Sequence, residues 1–231
     1  MKRGASHIEI VLAFVLFVAF VGFALYFFSP TDTKRLVDTT LIYAFDEIEK
    51  NTSVEVDFYN VKINENTPPT PNEVRIDLGN INANKQPYAK DIDGNKLNAD
   101  KEGQYVDVDR NGKDFIYIIL SEVIAPDVGI IGIHDTNYYT IASSDTRDII
   151  SERRFRELNN VYYVDYLKLK KEEFNLPARV NFGAELKFSD GLISMDRPAP
   201  EGLDVFTESR RVEVLRENGK IEFGELRVSV W

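Results

Sequence analysis

The chain has 231 residues, of which 43% are hydrophobic and 29% are charged, and its formal net charge at pH 7 is −10. This acidic balance argues against nucleic-acid binding, which requires basic surfaces. The chain has no cysteine, which excludes disulfide bonds and a lipid anchor attached to a cysteine.

The first predicted element is an apolar helix. No charged residue occurs from Ile10 to Phe28. An apolar helix of about 20 residues is long enough to cross the hydrocarbon core of a bilayer. Lys2 and Arg3 precede this run, and basic residues favour the cytoplasmic side of a membrane. The sequence therefore predicts a single-pass cell-membrane protein with a cytoplasmic N-terminus and an extracytoplasmic C-terminal domain at the cell surface.

Glu9 places a carboxylate at the mouth of this apolar run. An ionised carboxylate in the apolar zone costs about 2.5 kcal/mol or more unless it reaches water or a cation. One interpretation is that Glu9 is solvated at the level of the lipid headgroups. The other is that cleavage after Gly4 gives Ala5 a free amino group, about one helical turn away. That amine and the carboxylate then pair within one chain or between staggered chains.

The N-terminal residues resemble those of type IV prepilins and of their archaeal pilin-like relatives. Lys2-Arg3-Gly4 matches the end of the basic leader, Ala5 the first mature residue, and Glu9 the docking carboxylate at the fifth mature position. The usual bacterial motif has Phe as its first mature residue and Thr-Leu-Ile before the Glu. Here Ala5 is followed by Ser6-His7-Ile8, and the short basic leader is more similar to the archaeal version.

The resemblance implies a class III signal peptide, with residues 1–4 as the leader and 5–28 as the transmembrane and assembly helix. It implies a prepilin peptidase as the processing partner and other pilin-like subunits, identical or different, as assembly partners. Glu9 would then help to set the register of the subunits in the filament.

A second helix is predicted after a break at Ser29-Pro30, because Pro30 removes a backbone donor and disfavours helix at the preceding residue. Residues 31–50 form the predicted amphipathic helix. Its apolar positions recur at three- and four-residue spacing: Val37, Leu41, Ala44, Phe45 and Ile48. In pilins such a helix packs on a β-sheet, and an ordinary stalk or packing helix would show the same pattern.

Residues 52–231 are predicted to form an extracytoplasmic domain rich in β-strands. Period-two patterns indicate strands at Val54–Ile63 and Val74–Leu78, separated by a loop at Thr67–Pro71. Asn80–Gly103 is rich in Asn, Asp, Lys and Gly, which predicts an exposed excursion with a turn at Asp93-Gly94.

The middle of the domain combines a hairpin signal with an ambiguous segment. Val106 and Val108 lead to Asn111-Gly112, which predicts a hairpin with the strand Phe115–Val123. Ile130–Ile141 is predicted to contain one or two strands, and Asp145–Leu158 to be helical.

The last third of the domain has clearer boundaries. Asp165 is predicted to cap a short helix that ends at Phe174, and Val180–Phe188 alternates as a strand does. Arg211–Arg216 and Ile221–Trp231 are predicted to pair through a turn at Asn218-Gly219, with a bulge at Gly224.

These elements predict an α+β protein with mainly antiparallel strands. Its order is an N-terminal transmembrane helix, a kink, an amphipathic helix and a β-sandwich-like domain with short helices.

The candidate metal ligands are Asp107, Asp109, Asn111 and Asp114. Together with Gly112 they resemble the start of a calcium loop, in which oxygen ligands alternate along the chain before a glycine. The position of the bidentate Glu is occupied by Ile118, and the flanking segments are predicted strands. A calcium site and a solvated acidic hairpin both remain open, and no other cofactor is predicted.

No residue pattern nominates an enzyme. The only histidines are His7 and His134, and the chain has neither a nucleophile elbow nor a glycine-rich phosphate loop. The sequence therefore predicts no catalytic residues and a pilin-like structural subunit of an extracellular type IV filament or pseudopilus. The alternative is an uncleaved, membrane-anchored β domain that binds a glycan or a surface protein.

Overall fold

The computed structural model describes residues 3–27, 30–64, 72–127 and 129–231, and among these the side chains of residues 3–8, 25–27, 30–36 and 134 are outside the description. The predicted loop at Thr67–Pro71 and the predicted break at Ser29 fall outside the described residues. Judged on the part of the chain that is described, none of the helices combines the length and the apolar character needed to cross a membrane.

The helices are α1 Arg3–Phe27, α2 Pro30–Thr52, α3 Glu152–Val164 and α4 Tyr166–Lys168, which continues into a π-helical turn over Leu169–Glu173. Pro30 stands at the first position of α2, where a residue without a backbone N–H is tolerated because that group has no partner within the helix. The predicted amphipathic helix is confirmed, and the predicted cap at Asp165 accepts a hydrogen bond from the Lys168 backbone N–H at 3.2 Å.

The strands are β1 Ser53–Ile63, β2 Glu73–Asp77, β3 Gln86–Asp91, β4 Lys96–Leu97, β5 Ala99–Glu102, β6 Tyr105–Asp109, β7 Phe115–Ser121, β8 Ile133–His134, β9 Tyr139–Ser151, β10 Phe182–Lys187, β11 Leu192–Met195, β12 Phe206–Leu215 and β13 Ile221–Val230. They form a nine-stranded sheet in the order β11-β10-β13-β12-β9-β1-β7-β3-β4 and a four-stranded sheet in the order β5-β6-β2-β8.

The nine-stranded sheet consists of two antiparallel groups joined by one short parallel contact. β12 and β9 pair only at Val214 with Ile150 and at Leu215 with Ser151. On one side of this seam, β1 pairs with β9 over nearly its whole length. On the other side, β12 and β13 pair in an unbroken hairpin. Among the described residues, three hydrophobic cores pack against this curled sheet, and two of them are larger than the third.

The first core lies beneath α2 and α3 on the C-terminal half of the sheet. Leu41, Ala44, Phe45 and Ile48 are buried there among the inward side chains of β10, β12 and β13. Val37 is only partly buried at the edge of this core. The predicted apolar stripe of α2 is thus the face that packs on the sheet.

The second core lies between the small sheet and the other half of the large sheet. Val61 on β1 and Ile118 on β7 meet Val74 and Ile76 on β2 and Val108 on β6. This end of the domain has two facing sheets, whereas the other end has helices on a sheet. The prediction of an α+β protein with mainly antiparallel strands is confirmed, with one large curled sheet beside a smaller one.

The segment Asn80–Gly103 is not the predicted exposed excursion. It contains β3, β4 and β5, and Ala89, Leu97 and Ala99 are buried. Its polar composition concealed these strands, because β3 gains its place by pairing with the strongly β-forming β7. The predicted turn at Asp93-Gly94 is present, with Gly94 at φ +84°.

The Asn111-Gly112 turn is present but does not close a hairpin. Both residues have positive φ, 48° and 71°. The strands on either side belong to different sheets, since β6 pairs with β2 and β7 pairs with β1 and β3. The local turn was predicted correctly, but the pairing was wrong because turn chemistry does not specify the partner of a strand.

Residues 145–151 are strand rather than helix, and α3 begins only at Glu152. Ser151 is its N-cap, and its hydroxyl accepts a hydrogen bond from the Arg154 backbone N–H at 3.3 Å. From Thr140 to Asp148 every residue of β9 is exposed. No apolar alternation therefore marks this strand in the sequence, and its pairing with β1 decides its conformation.

The bulge predicted at Gly224 is absent. β12 and β13 keep one register from Phe206 opposite Val230 to Leu215 opposite Ile221. Gly224 lies on the buried face with Leu226. A Cβ at position 224 would lie 3.0 Å from the Lys187 carbonyl oxygen, so the glycine permits close packing rather than a shift in register.

Replacing Phe45 with alanine is expected to lower the free energy of unfolding by about 3–5 kcal/mol, because a fully buried aromatic ring leaves a cavity in the first core. Chemical denaturation of the full chain in detergent micelles measures this loss. Ile42→Ala is the matched control, since Ile42 lies on the same helix but is 46% exposed, and it should change the value by no more than about 0.5 kcal/mol. Equal losses in the two variants would contradict the packing described for α2.

Candidate functional site

The N-terminal helix α1 is the first candidate site, and its described side chains contact little else in the chain. Every residue from Glu9 to Phe20 is exposed, as are Gly22 and Phe23. The apolar side chains project on all sides of the helix: Phe14 is 66% exposed, Phe17 64% and Phe20 70%. A helix that is apolar all round is normally enclosed by other helices or by lipid.

The predicted processing residues lie within this helix. α1 begins at Arg3, so Gly4 and Ala5 have helical backbone in the described state. Glu9 is exposed and stands one turn further along. The structure thus brings Ala5 and Glu9 onto one helical segment at the start of the apolar surface.

α2 is held on the folded domain by several contacts. Besides its buried stripe, the ring of Phe45 lies 3.9 Å from the guanidinium carbon of Arg210 on β12. Asp46 lies within 3.7 Å of the same guanidinium group. At the end of the helix, the Thr52 hydroxyl donates to the Ile48 carbonyl oxygen at 2.7 Å. These contacts fix the position of α2 on the sheet.

The predicted calcium ligands are engaged in other contacts. The Arg75 guanidinium donates to both carboxylate oxygens of Asp107 at 2.8 Å, and the Asp107 side chain is only 2% exposed. The Asp109 carboxylate accepts the backbone N–H of Asn111 at 3.1 Å and so stabilises the turn. Asp114 accepts the Ile63 backbone N–H through its own carbonyl oxygen at 2.7 Å.

The three aspartates of this set do not form a metal-binding group. Within the described ranges, no group of three or more His, Asp or Glu side chains is arranged to hold a metal ion. Asp107 is instead the ion-pair partner of the half-buried Arg75.

The turn at Asp93-Gly94 also contains acidic residues, and the Asp91 carboxylate is hydrogen-bonded within that turn. Asp91 accepts hydrogen bonds from the backbone N–H groups of Asp93 at 2.9 Å and Asn95 at 2.8 Å, and from the Asn95 side chain at 3.0 Å. The hydrogen bond from the Asn95 side chain, with smaller help from Lys113, holds the pKa of Asp91 below its ordinary value. The carboxylate acts as the internal support of the β3–β4 turn.

Tyr139 and Tyr162, each next to a second tyrosine in the chain, are buried and hydrogen-bonded, whereas Tyr163 is 53% exposed. Tyr162 is fully buried and its hydroxyl donates to the Phe182 carbonyl oxygen at 2.8 Å. Burial raises the pKa of its hydroxyl. The Tyr139 hydroxyl accepts the Asp77 backbone N–H at 2.8 Å.

An ionic cluster that the sequence did not suggest lies at the start of α3. The Glu152 carboxylate, 5% exposed, accepts hydrogen bonds at 2.7 Å from Arg216 and from Arg156. Arg216 also donates to Asp190 at 2.9 Å and to Glu222. The members are up to 70 positions apart in the chain, so no local spacing signals the cluster.

This cluster shifts the acid–base behaviour of its central carboxylate. Burial by itself raises the pKa of Glu152, but the hydrogen bonds from Arg216 and Arg156 outweigh burial and hold the pKa below its ordinary value. Glu152 is therefore charged in the folded protein at neutral pH, and it ties α3 to the end of the β12–β13 hairpin.

Comparisons of the whole chain with protein-family models, with curated proteins and with solved structures find no match.

Glu152→Gln is expected to lower the free energy of unfolding at pH 7 by about 1–3 kcal/mol, because two arginines lose a charged acceptor. A carboxyl group with a lowered folded pKa stabilises the protein above its unfolded pKa, about 4.3 for Glu. That stabilisation is lost as the pH falls through the folded pKa, so the difference between wild type and variant should shrink below about pH 4.

Urea unfolding of the full chain in detergent at pH 7 and at pH 3 measures both effects. Glu157→Gln is the control, because Glu157 forms exposed pairs with Arg153 and Arg154, which are worth about 0–1 kcal/mol. A loss that is equally large at both pH values would show that the charge of Glu152 is not the cause.

Proposed function

We propose that this protein is a pilin-like structural subunit of an extracellular type IV filament or pseudopilus. The observation that carries the proposal is the order of residues in the N-terminal segment: Lys2-Arg3-Gly4, then Ala5, then Glu9 at the start of an uncharged apolar run. A plain membrane anchor has no need of a carboxylate at that place.

The exposure of α1 supports an assembly role. Its aromatic and aliphatic side chains are exposed on every face, and burying one such side chain stabilises a structure by about 1.5–3 kcal/mol. Before assembly, the bilayer would cover these side chains, and in the sequence the apolar run continues to Phe28. After assembly, the helices of neighbouring subunits would cover them in a filament core.

Cleavage between Gly4 and Ala5 by a prepilin peptidase supplies the second part of the mechanism. It removes the basic leader and creates an α-amino group on Ala5. A carboxylate in an apolar bundle is costly unless it meets a cation. Pairing between Glu9 and the amine of a neighbouring subunit therefore favours one stagger of the helices.

The packing of α2 on the sheet supports the proposed position of the β domain in the filament. α2, Pro30–Thr52, packs on the sheet through Phe45 and Ile48. The β domain would accordingly project from the filament core as a fixed decoration rather than as a loosely tethered module.

The processing step is tested by expressing the full chain in cells with a prepilin peptidase, or with a peptidase lacking its catalytic carboxylate. We expect a mature protein that begins at Ala5 only in the presence of the active enzyme, determined by N-terminal sequencing. Recovery of Met1 or Lys2 as the N-terminus in both strains would refute the proposal and favour the uncleaved membrane anchor.

Glu9→Ala is expected to be cleaved normally but to lower the yield of filaments about tenfold or more. Loss of roughly 1.4 kcal/mol per subunit contact is a factor of ten in association. Filament yield is measured by shearing and sedimentation, with the membrane-bound protein as the internal standard. Glu49→Ala is the matched control, because Glu49 is an exposed glutamate on α2. Normal assembly of the Glu9 variant would remove the role given to this carboxylate.

A further inference from the structure

A row of polar and aromatic side chains crosses the outer face of the large sheet. Lys96 on β4 pairs with Lys90 on β3, Lys90 with Tyr117 on β7, Tyr117 with Asn60 on β1, and Asn60 with Ser143 on β9. Residues that pair directly across antiparallel strands lie on the same face of a sheet. These five side chains therefore form one continuous row across five strands.

A groove of about 270 Å³ lies along this row. Phe58 and Tyr117 form much of its floor, Ile221 at the start of β13 forms part of its wall, and Lys90 and Arg147 lie at its sides. The turn of the β12–β13 hairpin stands beside it. A Cβ at Gly219 would collide with the ring of Tyr88, so the turn is held directly against the sheet face.

The groove contains one lysine, Lys90, whose charge is not compensated by a carboxylate of the described residues, in a chain whose net charge is −10. The Lys90 ammonium nitrogen lies 5.9 Å from the centroid of the Tyr117 ring, and no carboxylate among the described residues forms an ion pair with it. Lys96 stands directly opposite and pairs with Asp127 at 2.9 Å. Asp127 compensates the charge of Lys96, so Lys90 is the cation of this row that is open to an anionic ligand.

Arg147 adds a second cation on the far side of the floor. Its guanidinium carbon lies 4.6 Å from the centroid of the Phe58 ring. Its guanidinium group is paired with two carboxylates, Glu213 at 3.0 Å and Asp145 at 3.8 Å, so it orients the groove wall rather than adding uncompensated charge. These contacts hold the guanidinium group beside Phe58, while 47% of the side chain stays exposed.

The strands beneath the groove exclude an extended peptide that would bind by adding a strand. β1 and β7 are paired on both sides, so they offer no free main-chain edge to an extended peptide. A ligand here must be recognised by side chains alone. Asn60 supplies an amide that both donates and accepts, and its Nδ2 already donates to the Ser143 hydroxyl at 2.6 Å. Aromatic rings beside an amide and a cation suit a ring with apolar faces, hydroxyl groups and a negative charge.

We propose that this groove binds an acidic saccharide, with a sugar ring against Tyr117 and Phe58 and a carboxylate near Lys90. The volume suits one or two sugar units, since it lies at the lower end of small-molecule pockets. The proposal goes beyond assembly into a filament, because neither cleavage after Gly4 nor pairing through Glu9 is needed for the groove to form.

The test is isothermal titration calorimetry of the full chain in detergent with a linear tetramer of galacturonic acid. We expect saturable binding that weakens as salt is added, because ions screen the charge attraction. Lys90→Gln should weaken binding about tenfold or more, since it removes a charge-assisted hydrogen bond to the carboxylate. Tyr117→Ala should weaken it as well, because the ring surface is lost.

Lys168→Gln is the matched control, because Lys168 is an exposed lysine far along the chain on α4, and it should leave the affinity unchanged. A neutral galactose tetramer should bind at least about tenfold more weakly than the acidic one. Equal binding of the neutral sugar, equal binding of a glutamate peptide of the same charge, no saturable binding, or wild-type affinity in Lys90→Gln would each overturn the proposal. Thermal unfolding of every variant verifies that its fold is intact.

Discussion

The buried stripe of α2 is the contact on which the two parts of the molecule depend. Leu41, Ala44, Phe45 and Ile48 pack among the inward side chains of β12 and β13, and Arg210 covers the Phe45 ring from outside. Most of the described side chains of α1 are exposed, whereas α2 is packed on the sheet.

The ion pairs around Glu152 and Arg216 hold the ends of several elements in place. Glu152, Arg216 and Asp190 connect the start of α3, the end of β12 and the loop after β10. The same hairpin carries the Asn218-Gly219 turn, which lies against Tyr88 at the rim of the outer groove. The wall of the groove is therefore linked through the hairpin to an ion cluster on the other side of the sheet. The chain has a net charge of −10, and Arg216 alone pairs with three carboxylates, those of Glu152, Asp190 and Glu222.

Local signals in the sequence succeeded where one residue type determines a backbone conformation. Pro30 marks the start of α2, Asp165 caps α4, and Asn111-Gly112 and Asn218-Gly219 occupy turns with positive φ or a tight reversal. Local signals failed where pairing between strands decides the conformation of a segment. β9 is polar and exposed through its middle but is a strand because β1 lies beside it. β3 contains Pro87 and Ala89 and is a strand because β7 lies beside it.

The candidate sites divide in the same way. The sequence by itself determined the N-terminal pattern of Gly4, Ala5 and Glu9 before an apolar run, since these residues are contiguous and need no partner from elsewhere in the chain. It also determined the amphipathic stripe of α2, because helical periodicity is local. Only the tertiary structure decided that Asp107 belongs to Arg75 rather than to a metal ligand set. It alone aligned Lys90, Tyr117 and Asn60 in one row, because the register between strands depends on the packing of both sheet faces and not on the order of residues in any one strand.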